Sequence, residues 1–136
     1  MIIYRRIKNF MSNIFYDFRC RCQRFIRGYA HGDVWDMNYW FINMVKPMLV
    51  HIRDHGISIP AELYIEGDNE RVNWENVLTE MINCLDLMDE DNAYKHLGIT
   101  NDDYSFESTK KTWALIEENK NRFFELFNKY FYDLWD

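Results

Sequence analysis

His51 and His55 stand four residues apart, a spacing that on a helix puts both imidazoles on one face within reach of a shared metal ion. The zinc-protease pattern also needs Glu directly after the first His, and Ile52 stands there instead. Two surface histidines near the end of a helix, favoured there by the helix dipole, explain the pair as well. Asp33 and Asp36, with His31 close by, have the residue types of a general acid/base cluster. Helix capping accounts for both carboxylates without any catalytic requirement. Cys20, Cys22 and Cys84 are an odd set, and Cys20 and Cys22 are too close for an unstrained bridge, so reduced thiols are expected. One chain with three cysteines has no four-thiolate zinc site, and Cys84 has no histidine partner and reads as a small buried residue. Glycine loops that cradle phosphate, nucleophile elbows and dinucleotide fingerprints are absent. No catalytic residue, metal or cofactor is assigned, and a non-enzymatic protein is expected.

The elements that carry these residues are helical. In 136 residues there are 2 Pro and 5 Gly, too little turn punctuation for a sandwich or barrel, while 48% hydrophobic residues suffice for one core. The expectation is an all-α, four-helix bundle-like single domain over 1–136, with two long irregular loops. A basic amphipathic helix over 1–27 should stop at Gly28. Asp33 should cap a second helix starting at Val34 and spanning 33–55, broken in line by Pro47 and ended by Gly56. Residues 56–72 read as a loop with a short extended piece at 63–65. Asn73 should cap a third helix over 73–90, whose Trp74, Val77, Leu78, Met81, Ile82, Leu85 and Met88 form the cleanest amphipathic stripe in the chain. One helical turn over 93–98 precedes a second loop. Ser105 or Ser108 should cap a last helix over 106–134, with Trp113, Ile116, Phe123, Phe127, Tyr130 or Phe131, and Leu134 on its buried side. The aromatic run at 131–136 should close the core.

Charge is unevenly placed. Residues 1–27 hold seven basic side chains and one acid, net +6, whereas the remainder holds 9 basic and 21 acidic residues, net −12. The plainest reading is that the basic helix offsets its own acidic body. Ile3, Ile7, Phe10, Ile14 and Phe18 recur at helical spacing with cationic residues among them, which also suits a membrane surface. Direct nucleic-acid binding is disfavoured, because the acidic body repels phosphates. No run is long and apolar enough to span a bilayer, and the N-terminus lacks the pattern of a secretory signal, so the expected location is the cytoplasm.

Five Trp, 9 Tyr and 10 Phe exceed what a small bundle needs inside, so some rings should face outward. Aromatic residues together with Arg dominate binding hot spots. Tyr29, Trp35, Tyr39 and Trp40, with Arg24 and Arg27, are the candidate partner-binding residues.

The run Arg-Gly-Tyr-Ala-His-Gly-Asp-Val-Trp-Asp-Met-Asn-Tyr-Trp-Phe at 27–41 and the closing Phe-Tyr-Asp-Leu-Trp-Asp at 131–136 resemble a group of small bacteriophage and prophage proteins. These pair a basic N-terminal helix with a Gly-Tyr…Asp-x-Trp segment and end on Leu-Trp-Asp. This chain departs from the group at His31-Gly32, where an acidic residue is common, and in a shorter central loop. The resemblance implies a phage-type protein that binds and inhibits a host protein, with host defence machinery such as a CRISPR effector as one target class. An acidic face that imitates nucleic-acid phosphates is one way to do so. The alternatives are a helical module that binds or hydrolyses a nucleotide-like ligand in an aromatic pocket, and a virion or membrane-surface component. Self-association is a further open reading.

Overall fold

Nothing between residues 2 and 27 breaks a helix: the segment has no Pro and no Gly, and arginines stand in its last turn, where they suit the carbonyl end. It forms α1, Ile2–Arg27. The computed structural model describes residues 2–63, 70–100, 103 and 105–135, with side chains from residue 14 onward except that of Glu70. The remaining helices are α2, Met37–His55; α3, Glu70–Leu87; α4, Glu90–His96; and α5, Phe106–Lys129. Short 3-10 turns occur at His31–Val34, Ala61–Leu63 and Phe131–Asp133. No strand occurs among the described residues, and the all-α class holds. Contacts divide the chain into two compact units, Met1–Trp40 and Phe41–Asp136, with the boundary inside α2.

In the second unit α3 and α5 form the main helix pair, with α4 against both. The stripe anticipated on α3 is the core line: Trp74, Leu78, Met81, Ile82 and Leu85 are buried, and Val77 and Met88 pack beside them. Ile42 and Leu49 from α2 and Phe123, Leu126 and Tyr130 from the other side complete the core. Phe41 stacks on Phe124 at 5.9 Å and meets Phe123 and Phe127 edge-on at 6.0 and 6.3 Å, and Trp74 meets Tyr130 edge-on at 5.3 Å. The edge-on pairs place ring edges against ring faces, as the aromatic quadrupole prefers.

Polar side chains bind the helix ends. Arg71 donates from Nη2 to the carbonyl of Arg53 at 2.8 Å, from Nη1 to the carbonyl of Gly56, and from Nε to Glu75 at 2.8 Å. It thereby satisfies carbonyls that the end of α2 leaves without an amide partner. Gly56 itself approaches this end closely, since a Cβ there would lie 2.6 Å from the Ile52 carbonyl oxygen. Arg122 joins α5 to α3 through Glu80 at 2.6 Å and also reaches Glu125 at 2.9 Å, and Lys46 of α2 pairs with Asp86 of α3.

Several expectations need correction. The second helix begins at Met37 rather than Val34. The third begins at Glu70, so Asn73 lies inside it and does not cap it. It also ends at Leu87, and residues 90–96 form a separate helix whose cap is Asp89, accepting from the Asn92 amide at 3.0 Å. The last helix stops at Lys129, not 134. Ser105 does cap it, in a reciprocal pair with Ser108. Trp113 is 55% exposed, because the buried line runs through Thr112, Ile116, Phe123, Leu126 and Tyr130 and position 113 is turned off it. Thr112 tolerates complete burial because its hydroxyl donates to the Ser108 carbonyl at 3.0 Å. At the C-terminus, Leu134 packs against the core, while Phe131, Tyr132 and Trp135 are exposed. The extended piece expected at 63–65 falls mostly outside the described residues; Leu63 ends a 3-10 turn.

Candidate interaction surface

Gly28 ends α1 with φ +79°, a left-handed conformation that spares a glycine the Cβ penalty of other residues, and its amide donates to the Arg24 carbonyl at 2.9 Å. The chain reverses there and lies along the side of α1 that carries Tyr16, Cys20, Gln23 and Arg24. Ala30 and Cys20 are buried beneath it. The clasp is ionic: Arg24 Nε donates to Asp33 Oδ2 at 3.0 Å and Arg24 Nη2 to Oδ1 at 2.5 Å, while the Ala30 amide donates to Oδ2 at 2.7 Å. Gln23 Oε1 accepts from the His31 amide at 2.8 Å. The Tyr16 hydroxyl closes over Gly32, where a Cβ would stand 2.8 Å from it.

This explains why α2 starts late. Asp33 was expected to cap the helix that follows, yet its carboxylate is spent on the helix that precedes it and on the amide of Ala30. The Arg24 guanidinium, then the Ala30 amide, hold the Asp33 carboxyl below the usual carboxylate range. Tyr16 is shifted the opposite way: its hydrogen bond with Cys20 raises the phenol above its ordinary value. A depressed acid and an elevated phenol do not make a proton-transfer pair at neutral pH. The cleft they share with Asp17, Arg21, Arg24 and Gly32, about 420 Å³, is therefore a structural joint in chemical terms.

Beside it lies a cavity of about 270 Å³ walled by Tyr29, Asp33, Val34, Met37 and Trp40. Arg27 lies over the Tyr29 ring, 4.9 Å from its centre, and donates to the Tyr29 carbonyl at 3.2 Å. Trp40 contributes a further feature: its indole Nε1 is buried with no hydrogen-bond partner. Trp35 is 82% exposed, and Val34, Met37 and Tyr39 are also open to solvent.

Of the six residues singled out by sequence, Tyr29 and Trp40 wall the cavity, Arg27 supports Tyr29, and Arg24 holds the loop. Trp35 and Tyr39 are surface rings outside the cavity wall. Val34 and Met37 were missed because isolated apolar residues in a helix-like run read as core. The Asp33 clasp was missed because its partner lies nine residues upstream.

The histidine pair belongs to the second unit. His51 and His55 stack at 4.7 Å with 21° between their planes, and among the described residues no group of three His, Cys, Asp or Glu side chains is placed to hold a metal. All three cysteines are free thiols. Burial pushes the Cys84 thiol up, with Glu80 adding to the shift, so it is a poor nucleophile. No protein-family model matches this chain, and no curated protein or solved structure matches it either.

Proposed function

We propose that this chain is a non-enzymatic interaction protein of phage type that binds a host protein and inhibits it, with host defence machinery such as a CRISPR effector as the target class. The observation that carries the reading is the concentration of exposed rings and aliphatic side chains at Tyr29, Val34, Trp35, Met37 and Tyr39 around a small apolar cavity. Large exposed apolar patches mark interaction sites on folded proteins. The loop bearing Tyr29 and Val34 is fixed by the Arg24–Asp33 clasp, so a partner meets a surface ordered in advance, which lowers the entropy lost on binding. The acidic balance of residues 41–136, with 19 acidic and 9 basic side chains, supports electrostatic imitation of nucleic acid as the mode of inhibition.

Affinity capture from a bacterial host lysate, run in parallel with the wild-type chain and Trp35→Ala, tests the proposal. A specific protein retained at low and high salt by the wild type, lost from the variant, and less active when the wild-type chain is added, is the expected result. Recovery of no specific partner, or of the same set by both chains, counts against it.

A further inference from the structure

We infer that the apolar strip of α1 lies flat in the interface of an anionic membrane, a role separate from the protein-binding surface. At roughly 100° per residue, Ile14, Phe18, Cys22 and Phe25 align along one side of the helix, with Phe15 and Ile26 next to them. Phe25 is 92% and Ile26 80% exposed, and Phe15 and Phe18 are open as well. The loop of residues 28–34 does not cover this strip, because it is clasped to the opposite side of α1 through Gln23 and Arg24. No helix here is long and apolar enough to cross a membrane among the described residues, so the geometry is that of a helix lying in the headgroup region.

Charge decides between occupants. Arg21 borders the strip on one edge and Arg19 on the other, both exposed, where their stems can lie along the apolar surface while the guanidinium groups reach phosphates. Residues 1–27 carry net +6. Two copies of α1 joined through this strip would bring those arginines together, and nucleic acid would leave the phenylalanines wet. An anionic lipid surface satisfies both the apolar strip and its cationic borders.

Flotation of the full chain with phosphatidylcholine vesicles, with and without phosphatidylglycerol, tests this. The wild type floats with the anionic vesicles and about tenfold or more weakly with neutral ones, and added salt releases it. Phe18→Glu/Phe25→Glu abolishes flotation, whereas Ile57→Glu, altering an equally exposed apolar residue outside α1, leaves it unchanged. Arg19→Gln/Arg21→Gln, which keeps the apolar strip whole, lowers binding to anionic vesicles only, and it provides the test if the phenylalanine variant misfolds. The inference is overturned if the wild type floats with neither vesicle, or equally well with both. It is also overturned if the Phe18/Phe25 variant is folded by circular dichroism and floats like the wild type. A strip-dependent dimer in sedimentation, or a strip-dependent shift of DNA, without vesicle binding would overturn it as well.

Discussion

Arg24 and Asp33, nine residues apart and on opposite sides of a chain reversal, are joined by two parallel hydrogen bonds of 3.0 and 2.5 Å. The pair is bidentate, so it fixes the angle of the returning loop as well as its distance. Its dependence on pH has a definite sign. Asp33 is depressed in the folded protein, so its contribution is present above the unfolded carboxylate value of about 3.9 and is lost as pH falls through the lower folded value. The amide resonances of Ala30 and His31 should therefore move together below about pH 4. Asp33→Asn should show displaced Ala30 and His31 resonances at neutral pH and lack the acid transition; a wild-type titration without one would contradict the clasp.

Trp35→Ala should leave stability nearly untouched and weaken partner binding. The side chain is solvent-exposed, so truncation uncovers little, whereas an aromatic anchor at an interface is commonly worth about 2 kcal/mol or more. Thermal unfolding and titration with the captured partner separate the two effects. A large fall in melting temperature would show that Trp35 is structural.

Arg71→Met keeps much of the aliphatic stem and removes the donors that finish α2. The carbonyls of Arg53 and Gly56 lose their side-chain partner, which should cost about 1–3 kcal/mol in urea unfolding followed at the helical dichroism band. Exchange of the amides in the last turn of α2 should quicken before those of α3.

Phe123→Ala empties the place where α5 meets Phe41 of α2, beside Phe127. The ring is fully buried, so the expected loss is about 3–5 kcal/mol, enough to unfold much of a marginal domain. Trp113→Ala, on the same helix but turned outward, should cost under about 1 kcal/mol. The contrast between the two checks the assignment of the buried line.

Gly56→Ala should destabilise by about 1–3 kcal/mol, because the added Cβ would meet the Ile52 carbonyl at 2.6 Å, a backbone atom that cannot swing aside. Chemical denaturation measures it directly.

The parts of the fold that were legible in the sequence are those in which local pattern and tertiary packing agree. Trp74, Leu78, Met81, Ile82 and Leu85 repeat at three and four residues and all five are buried. Gly28 and Gly56 follow the helices they were expected to end, and Ser105 caps the helix assigned to it. What failed was decided by partners distant along the chain. An Asp before an apolar run can cap the next helix or clasp the previous one, and only Arg24 in space settles the choice for Asp33. Asn73 resembles a cap, yet the helix already includes Arg71, whose guanidinium reaches the end of α2. The aromatic residues were least legible of all, since indole and phenyl rings serve a core and a surface equally well. Tyr130 and Phe131 are neighbours, and one is buried while the other is exposed. Tyr29 and Trp40 were anticipated at a binding surface, but the cavity they share depends on a chain reversal that periodicity does not encode.

The unequal depths of the tryptophans give the protein a built-in optical gauge. Trp74 has no solvent contact and its ring lies 5.3 Å from that of Tyr130, while Trp35, Trp113 and Trp135 stand in water. A dissolved quencher such as acrylamide will darken the outer indoles first and leave a blue-shifted, shielded emission from Trp74. Replacing Trp35 and Trp40 by Phe confines the tryptophan emission to the second unit, so its melting can be followed by light alone while the segment before it is altered at will.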